Sequence, residues 1–173
     1  MKTLLNIIFF FLFLSNLQAQ EFFSNIPTDK YGRNILQFKL VNTSNQILSK
    51  CSAHGSVMES NYEKRDFDIQ FLSFYNCPKN IASPQENVEA TYERKLFKVR
   101  NGRGVQFRKV NLDTPDRIIF EETYFSDRLF KKVRKKHSIQ IEKISDSTYR
   151  LTKTSFDKSS ESSYIEIFES IEN

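Results

Sequence analysis

Residues 139–151 read IQIEKISDSTYRL. Ile139 and Ile141 alternate with polar neighbours, and Tyr149 and Leu151 do the same after Ser145, Asp146 and Ser147. A period of two puts each pair on one face of a strand, and the small polar triplet between them has turn chemistry. The stretch therefore predicts two antiparallel strands joined by a short turn. Downstream, Tyr164, Ile165, Ile167 and Phe168 predict a last strand. Upstream, Leu36, Phe38 and Leu40 share one face of a strand beginning near Asn34. In residues 67–75, FDIQFLSFY, the residues Phe67, Ile69, Phe71, Ser73 and Tyr75 share a face, while Leu72 and Phe74 make the other face apolar, the pattern of a central strand. Ile118 to Phe125 is rich in β-branched and aromatic residues. Val105 and Phe107 follow Asn101-Gly102, a dipeptide that closes tight hairpins. The expected fold is mainly β, an antiparallel meander forming a barrel or sandwich with one or two short helices; the alternative is an α+β fold with a curved sheet packed on a helix.

Two segments carry helix signals. Ser83-Pro84-Gln85-Glu86 has the form of a capping box, and Val88, Tyr92, Leu96 and Val99 follow at helical spacing, which predicts a helix from Pro84 to about Lys95. Ser126-Asp127 similarly predicts a short helix carrying Leu129, Phe130 and Val133, with Lys135 and Lys136 at its negative end, a strand across the same residues being the alternative with the poorer alternation. The small β domain with a final strand–turn–strand pair is similar to lipocalin-like barrels. It lacks the Gly-x-Trp that opens that family, so the resemblance is one of fold by analogy.

The chain has 173 residues. Lys2 precedes an apolar run from Leu4 to Leu14 broken by Asn6, and Leu17-Gln18-Ala19 ends in a small residue. This reads as a signal peptide, residues 1–19, too short to span a bilayer, which needs about 20 apolar residues. The expected mature chain is one exported β-rich domain, residues 20–173, secreted or periplasmic. Its two cysteines, Cys51 and Cys77, predict a disulfide in that oxidising setting, closing a loop at roughly 3.5 kcal/mol on the chain-entropy estimate. The competing arrangement, a zinc site of Cys51, His54, Cys77 and His137, has only one pair at finger-like spacing. No metal and no cofactor is expected. Asn42-Thr43-Ser44 has the form of a glycosylation sequon and also that of a hairpin turn.

Charge is unevenly placed. Arg94 to Lys136 holds 14 Lys and Arg against 5 Asp and Glu, a net of +9, between acidic flanks. Its densest parts are Lys98, Arg100 and Arg103, then Lys131, Lys132, Arg134, Lys135 and Lys136. Brought together, these focus a positive potential toward an anionic envelope polymer, a lipid headgroup or an acidic protein. Nucleic acid is disfavoured by export and by the lack of a recognised motif. No Gly-rich phosphate loop, metalloprotease helix or nucleophile elbow occurs. Asp66 and Asp68 share a strand face, Glu121-Glu122 reads as an exposed pair, and no residue is assigned a catalytic role. The 17 Phe and 7 Tyr with no Trp mildly disfavour sugar platforms. The expected function is a non-catalytic binding or interaction domain with a basic face. The alternatives are a lipocalin-like carrier of a small apolar ligand lined by Phe67, Phe71 and Tyr75, and an exported hydrolase whose residues converge only in three dimensions. A deep polar site placing His54 or His137 beside a carboxylate would favour the hydrolase.

Overall fold

The computed structural model describes residues 21–26, 28–59, 68–92, 105–125 and 132–171. Its strands are β1 (Ile35–Thr43), β2 (Ser52–Glu59), β3 (Ile69–Asn76), β4 (Gln85–Ala90), β5 (Val105–Thr114), β6 (Arg117–Phe125), β7 (Val133–Lys143), β8 (Tyr149–Asp157) and β9 (Ser162–Ser170). They form one nine-stranded sheet in the order β4-β3-β2-β1-β9-β8-β7-β6-β5. Two meanders, β1 to β4 and β5 to β9, are thus joined where the first strand pairs with the last. The predicted turn at Ser145–Ser147 sits between β7 and β8, with Ile141 opposite Leu151.

The two edge strands meet and nearly close the sheet into a barrel. Strand direction reverses at every ladder, so with an odd number of strands the edges β4 and β5 run the same way. Parallel neighbours cannot be joined by a tight hairpin. At this seam the Val110 N–H donates to the Thr91 carbonyl at 2.9 Å.

Alternation sends one side chain in two inward. One end of the interior is apolar: Leu36, Phe38, Val57, Ile69, Phe71, Val88, Ile118, Phe120, Ile139, Ile141, Leu151 and Phe168 are all buried. A one-turn helix, α1 (Glu21–Ser24), belongs to this apolar core through Phe22 and Phe23. The Phe22 ring meets Tyr149 edge-on at 5.8 Å. Asp113 near the end of β5 anchors the helix, accepting the Phe22 N–H at 2.8 Å and the Glu21 N–H at 3.2 Å. Gly55 makes room for Phe71: a Cβ there would lie 2.6 Å from the Phe71 ring.

The antiparallel β fold and the Cys51–Cys77 disulfide agree with the sequence reading. The helix expected from Pro84 does not form; residues 85–90 are strand β4. Both capping-box side chains act elsewhere, since Ser83 Oγ accepts the Cys77 N–H at 3.4 Å and Glu86 turns inward to Lys153. Val133, Lys135 and Lys136 likewise lie on strand β7 and not on a helix. Residues 126–131, residues 93–95 and the Asn101-Gly102 turn lie outside the described residues. The strand expected to be central, β3, is next to the edge strand β4. Leu72 on its outer face is half-buried and Phe74 is exposed, so its second apolar face is only partly covered.

Candidate functional site

The other end of the interior is built from charged and hydroxyl-bearing side chains. Lys153 follows Tyr149 and Leu151 on the inward face of β8 and is 0% exposed. Its ammonium donates to Glu86 of β4, to Glu166 of β9 at 2.6 Å, and to the Tyr75 hydroxyl of β3 at 3.2 Å. Tyr75 donates in turn to Glu166, and Tyr164 donates to Glu86 at 3.3 Å. The rings of Tyr75 and Tyr164 lie 5.7 and 5.9 Å from Lys153 Nζ, within cation–π range. Glu166 is fully buried, whereas the Glu86 side chain keeps 23% of its surface exposed. Burial pulls the Glu86 carboxyl upward, but the charge and hydrogen bond of Lys153 outweigh it and hold the group below the usual carboxylate value.

His137 of β7 joins the cluster by hydrogen-bonding Ser155 through Nδ1 at 3.0 Å. Burial lowers its pKa, with Lys153 and Lys135 adding to the effect against Glu86 and Asp157, so the imidazole is neutral at pH 7. Ser73 lies directly opposite Glu86 in the β3–β4 ladder. Its hydroxyl is fully buried, close enough to influence the Tyr75 phenol, and makes no hydrogen bond of good geometry.

A second cluster occupies the seam. Glu89 differs from Glu86 in parity, and Arg108 of β5 meets it across the seam at 2.6 Å. Arg108 also bonds Glu122 of β6 at 2.7 Å, and Glu122 accepts from Gln106 and from Tyr124 at 2.8 Å. Desolvation raises the Glu122 carboxyl despite the Arg108 charge. Glu122, read from sequence as exposed, is therefore a correction: it is buried, because strand alternation places it with Phe120 on the inner face while Glu121 faces out to Lys136.

The predicted basic cluster is split by the same alternation. Lys135 shares parity with His137 and pairs with Asp157 at 3.4 Å; Lys136 points the other way and pairs with Glu121 at 2.8 Å. Lys132 and Arg134 are exposed, and the Lys158 N–H donates to the Arg134 carbonyl at 2.8 Å. Lys98, Arg100, Arg103 and Lys131 lie outside the described residues. The zinc arrangement is overturned, because both thiols are used in the disulfide and His54 is exposed on β2. Among the described residues no group of His, Cys, Asp and Glu could hold a metal ion. Of the proposed apolar-ligand lining, Phe71 packs on Phe168 at 5.6 Å and Tyr75 bonds Glu166, so both are core contacts; Phe67 lies outside the described residues. Asp68 accepts the Tyr92 N–H at 2.8 Å, and Asp66 lies outside the described residues. Asn42 is exposed on β1, ahead of the turn and not in it.

Sequence reasoning missed Lys153, Glu166 and Glu86. The available signal was parity: Lys153 stands in step with Tyr149 and Leu151, and Glu166 with Tyr164 and Phe168.

No protein-family model matches the chain, and no curated protein matches it. A solved structure, EF1p2_mFAP2b bound to DFHBI, aligns over 90% of this chain and 100% of that one, at 12% identity and a TM-score of 0.40. The likeness at that level concerns the chain path alone.

Proposed function

We propose that the protein is an exported, non-catalytic binding barrel that holds a small polar ligand at the charged end of its interior. The observation that carries this reading is the fully buried Lys153 set among Glu86, Glu166 and Tyr75, with Glu86 still reaching solvent. Burying an ion pair is no more stabilising than packing apolar side chains of similar volume, and is often less so. The apolar end of the same barrel displays that cheaper solution, so the charged end serves something besides closure. The leader-like residues 1–19 and the disulfide support export. Among the described residues no helix is long and apolar enough to cross a membrane.

His137 does stand within the field of the Glu86 carboxylate, the arrangement that favours a hydrolase. The Glu86 oxygens, however, accept from Lys153 and Tyr164, while the imidazole bonds Ser155, so the carboxylate does not orient His137 as a base and binding is the better reading. Native mass spectrometry of the protein taken from an export compartment tests the proposal. A bound small molecule, lost in Glu86→Gln and Lys153→Met, is the expected result. A protein that carries none, and whose melting point no compound in a polar-metabolite library raises, would sink it.

A second reading, contact of the rim with an anionic polymer, headgroup or acidic protein, is favoured by Lys132, Arg134 and Lys158, which are exposed around one backbone hydrogen bond. Heparin, lipopolysaccharide and anionic vesicles titrated at two ionic strengths would test it. Binding that weakens with salt and on replacing those three residues by Gln supports it, since screening acts over about 8 Å at 0.15 M.

A further inference from the structure

From the charge and hydrogen-bonding balance around Glu86 we infer that the ligand of the charged end is a small organic cation, a primary amine or guanidine, whose head group sits against Glu86 and Ser73. This rests on the reading of the barrel as a small-ligand binder and specifies the chemistry of that ligand.

Two carboxylates, Glu86 and Glu166, share a single ammonium, that of Lys153. His137, the remaining basic group facing them, is neutral. Counted by side chains, carboxylates outnumber the ammonium by one, and Glu86 is the carboxylate with an edge toward solvent. The seam cluster has the same ratio, Glu89 and Glu122 around Arg108, but there burial of Glu122 favours a proton. At Glu86 the charge and hydrogen bond of Lys153 outweigh burial and hold the carboxyl below its usual value.

Ser73 offers a second, independent polar group beside Glu86. A fully buried hydroxyl with no well-formed hydrogen bond is uncommon in a folded protein. It stands opposite Glu86 on the neighbouring strand, on the same inward face as Tyr75. A hydroxyl beside an exposed carboxylate edge suits a group with several N–H donors, which would give one to each. An incoming carboxylate or phosphate would instead face Glu86 in repulsion. Glu86 is also the member of the cluster that solvent reaches, so an arriving cation meets it first.

The test is isothermal titration calorimetry of the disulfide-bonded protein with putrescine and agmatine, and with glutarate and inorganic phosphate as anionic counterparts. The expected result is binding of an amine or guanidine and of neither anion. Glu86→Gln should weaken it about tenfold or more, and Ser73→Ala by about three- to tenfold, as the loss of a charge-assisted and a neutral hydrogen bond implies. Should Glu86→Gln fold poorly, the wild-type protein with ¹⁵N-labelled lysine gives a second readout, in which the Lys153 ammonium resonance shifts on adding the amine. Binding of an anion in place of the cations, or amine binding indifferent to both substitutions, overturns the inference while leaving the small-ligand reading intact. If neither these probes nor a polar-metabolite library binds, both readings fall.

Discussion

Lys153 has three N–H donors and meets three acceptors, Glu86, Glu166 and the Tyr75 hydroxyl. Lys153→Ala strands two carboxylates in the barrel and should destabilise it by about 3–5 kcal/mol in urea unfolding. Adding Glu86→Gln and Glu166→Gln to Lys153→Met should recover much of that loss, because the groups act as a unit. A triple variant no more stable than Lys153→Ala would contradict the ion-pair account. His137 gives a pH dependence of definite sign. Its folded-state pKa is depressed from 6.5, so below that value the unfolded chain takes up the proton more readily. Stability should therefore fall as pH drops from about 6.5 toward 5, and His137→Gln should flatten that part of the melting-point profile. Glu86, held below 4.5, contributes stability that is lost only at lower pH, which keeps the two windows apart. None of these residues announced itself in sequence. An isolated Lys, Glu or His on an alternating strand reads as solvent-facing, and only parity with Leu151 or Phe168 placed them inside.

Elements were legible where one face was clearly apolar. Strands β1, β7 and β8 follow from alternation, β6 and β9 from their β-branched and aromatic residues, and the turn before β8 from its serines. Strand β4 was not, because Ser83-Pro84-Gln85-Glu86 satisfies a local helix rule whose side chains are claimed by distant partners, Cys77 and Lys153. Long-range pairing overrode local preference there. The basic run that opens β7 failed in the same way, since a helix would have kept Lys135 and Lys136 near one end while a strand sends them to opposite faces. Helix α1 is a four-residue turn, far too short to persist unaided, and depends on Asp113 and on the burial of Phe22 and Phe23. Asp113→Ala removes the acceptor of two backbone N–H groups and should cost about 1–2 kcal/mol. Hydrogen exchange at Phe22 and Phe23 should accelerate more than at the strands; unchanged exchange there would mean the rings alone hold the helix.

At the scale of the whole barrel, protection should be uneven. Strands β1, β9 and β8 have ladders on both sides, whereas β4 and β5 have one each and meet at a parallel seam. Amide exchange should therefore be slowest across the first group and faster in β4 and β5, and uniform protection would argue for a fully bonded ring. The Cys51–Cys77 bridge ties the β1–β2 connection to the residues following β3. Replacing both cysteines by Ala should lower stability by roughly 3 kcal/mol and leave the circular dichroism of a β protein. A larger change, to a disordered spectrum, would show that the bridge is needed for folding itself. The pairing of β1 with β9 also sets an order of events. One flank of the first strand stays bare until the last strand has been made, so the ring has a keystone, and it is the final piece delivered. A chain threaded through a membrane pore amino end first would stay unlocked for the whole passage and snap shut only on release.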